Sequence, residues 1–233
     1  MRIEVWSDVI CHWCYIGKRR LEKALEEFPH PVEVVWRSYQ LDPGAPVEPT
    51  ETVAESLGRK YGGGVEAGRR MIDRVEAVAA EEGLIFRLHQ ARRGNTVDAH
   101  RLLHLALSEG GPTLQGELKE GLLAAYFTRA ENPADPDVLR KEAANAGLDA
   151  GRVEEVLAGV EFRDEVYADI ERAAAYGATG VPFFVIDQKY GVSGAQPVET
   201  FRQVLERAWS DSHPSLQMLD AGDDACGPDG CEV

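Results

Sequence analysis

One stretch limits what this chain can fold into: Val5-Trp6-Ser7-Asp8-Val9-Ile10-Cys11-His12-Trp13-Cys14. The apolar run from Ile3 to Ile10 reads as a buried strand, and a helical pattern follows at once, with Leu21, Leu25 and Phe28 at i, i+4 and i+7. Pro29 and Pro31 stop that helix. Cys11 is therefore expected at the open N-terminal end of a helix, with Cys14 one turn further in. Unpaired N–H groups and a partial positive charge at such an end favour thiolate over thiol. The expectation is a Cys11 pKa below the free value of ~8.5, within ~3.5–7.5. In this reading Cys11 attacks and Cys14, deeper and shielded, resolves. The same spacing also occurs as half of a structural zinc site. Zinc knuckles leave tight turns and need a second ligand pair nearby, whereas this pair opens a long helix, the context a redox dithiol requires.

The formal charge of −15 argues against nucleic acid or an anionic membrane as partner. No run of about 18 apolar residues is available for a membrane span, and Met1-Arg2 leads directly into strand residues with no signal-peptide pattern. The expected setting is cytoplasmic. In a reducing compartment, four cysteines in two close pairs point to working thiols rather than structural bridges.

Further along, Val32 to Leu41 reads as a strand, and Pro43-Gly44-Ala45-Pro46 breaks the pattern. Residues 50–159 show helical periodicity. One helix carries Val65, Ile72 and Val75 to Gly83, and a second starts at the capping pair Asn95-Thr96. A third carries Leu114, Leu118, Leu122 and Tyr126, and two short helices are capped by Asp135 and Asp149. His100 and His104, one turn apart, read as surface or packing residues, since no third metal ligand accompanies them. Phe162 to Gly177 is a further helix. Phe183 to Ile186 is a buried strand turned by Gln188-Lys189 into Tyr190 to Val192, and Pro197 opens a last helix through Trp209. Strands at both ends with helices between predict an α/β domain (residues 1–46 and 161–209) interrupted by a helical one (47–160), followed by a tail (210–233).

In that tail Cys226 and Cys231 enclose Gly-Pro-Asp-Gly, a turn signal that can bring two cysteines within disulfide reach. The functional reading is an auxiliary dithiol that exchanges with Cys11 and Cys14. An inert surface disulfide or part of a metal site are the alternatives.

Three ordered motifs now stand together: CHWC at a helix start, Thr179-Gly180-Val181-Pro182 before a strand, and Val192-Ser193-Gly194-Ala195-Gln196-Pro197 before the last helix. Over residues 1–209 the chain resembles the DsbA-like thioredoxin-fold oxidoreductases, in particular their FrnE-like branch. The resemblance implies a thioredoxin-like fold interrupted by a helical insertion that shades the active site. It implies a protein disulfide oxidoreductase with oxidant or isomerase activity on protein or small-molecule disulfides, with Pro182 cis and packed against the cysteine pair. Val181 would offer its backbone edge to an extended substrate. The implied partners are proteins carrying thiols or disulfides, the chain being a monomer or weak dimer. No cofactor is implied beyond glutathione as a redox partner.

The motif departs from many relatives at His12, which stands where proline is common; a cationic imidazole there would favour the Cys11 thiolate further. Trp13 reads as a shield for the disulfide or a surface for substrate. The position of the family's buried acid is Val5; Asp8 or Glu4 is the candidate replacement as proton carrier, though both read first as solvated or capping residues. Two rivals stay open. One is a kappa-class glutathione transferase or hydroxychromene-carboxylate isomerase, which would not need Cys14. The other is a chaperone with a redox switch.

Overall fold

The structure is a computed structural model and describes residues 1–214. β1 (Arg2–Ser7) lies inside the sheet and is buried from Ile3 onward. It pairs in parallel with β2 (Glu33–Ser38), Val5 opposite Trp36, through the crossover α1 (His12–Glu26). On its other side it pairs antiparallel with β3 (Phe183–Ile186), Val5 opposite Phe184, and β3 turns back into β4 (Tyr190–Ser193). The strand order is β2-β1-β3-β4.

Both early strands are shorter than their apolar runs. β1 stops at Ser7 rather than Ile10, because Val9 and Ile10 leave the sheet and are buried in a helical core instead. The Asp8 carboxylate holds the turn by accepting the Leu41 N–H at 2.8 Å. The β3–β4 turn centres on Asp187 and Gln188, at φ 47° and 54°, one residue earlier than the sequence reading. Two successive positive φ values match the twist of a tight hairpin.

Between β2 and β3 come α2 (Val53–Tyr61), α3 (Gly64–Glu81), α4 (Val97–Phe127), α5 (Pro136–Ala146), α6 (Ala150–Ala158) and α7 (Arg163–Ala175); α8 (Val198–Ser212) ends the described fold. α2 is absent from the sequence reading, although Thr52 and Glu55 form a reciprocal capping box at its start. The two helices expected around residues 97–127 run on as one element broken at Gly111 (φ 67°, ψ −164°), where Pro112 opens the second half. Of the Asn95-Thr96 pair only Asn95 caps, accepting the Val97 N–H at 2.9 Å; Thr96 makes no cap bond.

The sheet has a core on each face. Leu21 and Ala24 of α1 join Phe201 and Leu205 of α8 against Val5 and Phe184. On the other face Trp6, Phe183 and Val185 meet Ala173 of α7. A third and larger cluster fills the helical block around Leu102, Leu118, Leu122 and Phe127, and it takes in Val9, Ile10, Tyr15 and Ile16. The helical block thus grips the first two turns of α1. Glu82 fixes the outer side of that grip, binding Arg20 and Lys23, each at 2.6 Å.

Candidate active site

Cys11 is the N-cap of α1, with extended backbone (φ −89°, ψ 109°), and is 4% exposed. Cys14 sits in the first turn, 1% exposed. Both are thiols. The Cys11 thiol donates to the Val181 carbonyl at 3.5 Å, and the Val181–Pro182 bond is cis. The structure thus brings Cys11, Cys14 and the Val181-Pro182 loop to one point, where the start of α1 meets the start of β3.

Electrostatics corrects one expectation and decides the charge of His12. The Cys11 pKa is pushed well above its usual value, not below it: its sulfur meets the Cys14 thiol, burial strips it of water, and the Asp8 charge opposes ionisation. Only the hydrogen bond from the Cys14 backbone works the other way. His12 is not cationic. Burial and the nearby Arg93 charge bring its pKa down to about 4, so the imidazole is neutral at pH 7 and lends Cys11 no positive field. Trp13, 39% exposed, stands at the rim beside the His12 ring.

Behind the cysteines lies a buried polar cluster. Asp8 is fully buried, not solvated; its second oxygen meets His100 Nε2 at 3.3 Å. Burial alone would raise the Asp8 pKa, but the His100 bond, the Leu41 N–H and the Lys119 charge hold it below the usual range. Burial lowers His100, which therefore donates as a neutral imidazole, leaving Nδ1 with no partner among the described residues. Lys119 of α4 is completely buried, with its Nζ 3.4 Å from the Ser7 carbonyl. Burial lowers its pKa to about 8 although the fields of Cys14, Asp8 and Cys11 pull upward. Glu4 is buried elsewhere, bound by Arg37 at 2.8 Å. His104 meets Ser38 at 3.0 Å and Asp169 at 3.2 Å, so it and His100 serve separate carboxylates. Neither is on the surface. Among the described residues no group of three or more His, Cys, Asp or Glu could hold a metal ion.

A cavity of about 280 Å³ opens onto Cys11, His12 and Trp13, with Arg93 and Tyr126 also in its lining. Its apolar wall comes from α2 and α3, through Val53, Leu57 and Ile72. A larger cavity of about 520 Å³, beside Lys18 and Pro112, has no thiol in its lining. Chemistry, not size, picks the smaller one. Cys226 and Cys231 lie outside the described residues.

A sheet whose central strand runs into CHWC, faced by a Val-Pro loop and roofed by helices, defines a thioredoxin-type dithiol protein. The DSBA-like thioredoxin domain model matches residues 2–206, and the chain belongs to that family. It is 47% identical to a probable DsbA oxidoreductase of Streptomyces coelicolor, whose crystal structure superposes with a TM-score of 0.85 over 100% of this chain and 99% of that one. The cytosolic disulfide reductase DsbM of Pseudomonas aeruginosa, solved with GSH, shares the fold (17% identity, TM-score 0.62, 90% and 99% covered). The uncharacterized protein YwbO of Bacillus subtilis is 24% identical over 217 residues, 88% of this chain and 96% of its own. Membership makes the chain an enzyme of the disulfide-exchange class. Among the described residues, no helix is long and apolar enough to cross a membrane.

Proposed function

We propose that the chain is a thiol–disulfide oxidoreductase in which Cys11 exchanges with the substrate and Cys14 resolves the mixed disulfide. The observation that carries this is the placement of Cys11 at the open end of α1, its sulfur at the Val181 carbonyl and on the wall of the 280 Å³ cavity, with Cys14 sealed behind it. Only Cys11 can be reached first. In the reducing direction its thiolate attacks a substrate disulfide, one substrate sulfur leaves with the bond electrons, and Cys14 then displaces the other. Cys11 and Cys14 end as a disulfide, and the chemistry calls for no cofactor.

Proteins or small molecules with accessible disulfides are the substrate class, held along the Val181-Pro182 edge, with Trp13 at the rim. A cytoplasmic setting, like that of the Pseudomonas aeruginosa reductase, belongs to the same reading.

The test is a disulfide-reduction assay with Cys11→Ser and Cys14→Ser variants, followed by mass spectrometry. Cys11→Ser should abolish turnover, and Cys14→Ser should trap substrate on Cys11. Turnover that survives Cys14→Ser in the presence of glutathione would point instead to a glutathione-dependent transferase or isomerase.

A further inference from the structure

The cavity over Cys11 carries charge of one sign. Arg93 and Lys60 both line it, and no Asp or Glu does. A chain with 40 acidic and 25 basic side chains has carboxylates to spare, and its other shielded arginines have found them. Arg20 is bound by Glu82, Arg37 by Glu4 and Arg101 by Asp98. Arg93 is half-buried, its Nε is buried with no hydrogen-bond partner, and it takes part in no ion pair among the described residues. It also lines a second cavity with Asp42 and Glu51. Glu51 is bound by Arg59, and Asp42 makes no ion pair with Arg93. A cation on a wall that is otherwise apolar focuses positive potential into the space before it. A guanidinium short of both water and a partner gains most from an arriving carboxylate, which its planar fork can bind through two parallel N–H bonds.

We propose that Arg93 determines specificity by binding a carboxylate of a low-molecular-weight disulfide whose sulfur meets Cys11 in the same cavity. The proposal deepens the exchange reading above and rests on it. Size follows from access. Cys11 is 4% exposed and opens onto a cavity of about 280 Å³, room for a chain of a few carbons and not for the surface of a folded protein. Cys11 and Arg93 both belong to its wall, so one small molecule reaches both. Burial sets the direction of the pKa shifts at His12 and Tyr126, two further wall residues, and the Arg93 charge lowers both values, as a guanidinium beside that space must. With the carboxylate on Arg93, the carbon chain lies against Val53, Leu57 and Ile72. The Cys11 thiolate attacks the nearer sulfur, and the far half of the disulfide leaves as a thiolate with the bond electrons. Cys14 then displaces the half held by Arg93 as a second thiolate, and the protons given up by the two cysteines pass through water to the two products. Arg93 keeps its proton throughout, so its effect falls on which disulfide is bound.

The experiment offers reduced full-length protein three disulfides of similar size at pH 7: anionic dithiodipropionate, neutral hydroxyethyl disulfide and cationic cystamine. Oxidation of Cys11 is followed by alkylation and peptide mass spectrometry, and each rate is divided by that of the same disulfide with mercaptoethanol. Dithiodipropionate should lead the neutral compound by about tenfold, the scale of one hydrogen bond to a charged group, with cystamine last. The net charge of −15 by itself would rank them the other way. Equal normalised rates, or the reverse order, overturn the proposal, and this comparison needs no variant to fold. In Arg93→Gln the lead of dithiodipropionate should disappear, and Arg93→Lys should keep part of it. A lead that survives Arg93→Gln in full also overturns the proposal. A peptide disulfide with aspartate beside each cysteine should react more slowly than dithiodipropionate on the same scale; a faster reaction would assign the carboxylate to peptides and overturn the low-molecular-weight class. No oxidation of Cys11 by any of the four would overturn the exchange reading itself, a separate failure.

Discussion

A Cβ built on Gly17 would stand 3.1 Å from Cγ of Pro182: the second turn of α1 and the loop facing the cysteines touch where only hydrogen fits comfortably. Phe184 and Ala195 close the same spot at 3.3 and 3.4 Å. Two effects compete on substitution. Alanine gains about 1 kcal/mol of helix propensity over glycine, roughly balancing a few tenths of an ångström of displacement. Gly17→Ala should thus be close to neutral in urea denaturation. Gly17→Val adds two methyls that the site cannot absorb, and should cost about 1–3 kcal/mol as overpacking. The displaced strand-start should also carry Val181 away from Cys11, slowing substrate attack. A valine variant with unaltered stability and rate would show that the loop yields freely.

The Cys11 pKa predicts how its reactivity varies with pH. Alkylation by iodoacetamide should have its midpoint above the ~8.5 of a free thiol. Asp8→Asn removes a charge that opposes ionisation and should move the midpoint down, raising the rate at pH 7. The gain should stay under about tenfold, the effect of one pKa unit, since Cys14 and burial are the larger causes. Asp8 itself has a depressed pKa in the fold. Its contribution to stability is present above the unfolded value of ~3.9 and is lost as pH falls through the lower folded value. A Cys11 midpoint that does not move in Asp8→Asn would show that the carboxylate has no electrostatic hold on the thiol.

How far the sequence exposed this site follows from which residues carry a local signature. Cys11 and Cys14 were legible because a strand, a CxxC and a helix stand in order, and Asp135 and Asp149 because a cap is a local event. Strand ends were not. Val9 and Ile10 look like strand because burial in a loop and burial in a sheet leave the same apolar trace. Lys119 and His100 were illegible for a related reason. α4 is buried on more than one side, so a charge beside Leu118 reads as the solvent face of an amphipathic helix although Lys119 is completely buried. At the helix start the Cys14 N–H does lower the Cys11 pKa. It is outweighed by a second thiol and by dehydration, which depend on tertiary packing.

His12 should make the fold weaker in mild acid. Its folded pKa of about 4 lies below the ~6.5 of an unfolded imidazole. Between those values the unfolded chain binds a proton that the folded one does not, so stability falls as pH drops from about 6.5 towards 4. His12→Gln should lose less stability than the parent over that window in urea titrations. Arg93→Met should raise the His12 midpoint, followed by NMR of its ring proton, but only part of the way, because burial is the larger cause. Full restoration to the free value would make Arg93, not burial, the dominant influence.

Glu120 ties the second half of α4 to α1. It accepts the Tyr15 hydroxyl at 2.6 Å, Lys18 at 2.6 Å and Arg19 at 3.0 Å, all from α1. Burial would raise its pKa, but Arg19, Lys18 and Tyr15 together bring it down to about 2. Its ion pairs therefore contribute above the unfolded value of ~4.3 and are lost as pH falls towards 2. A third of the side chain is exposed, so water screens the cluster. Glu120→Gln should cost only about 1 kcal/mol at pH 7, and the difference from the parent should vanish near pH 2. A difference from the parent that persists well below pH 2 would show that Glu120 holds α1 by packing rather than by charge.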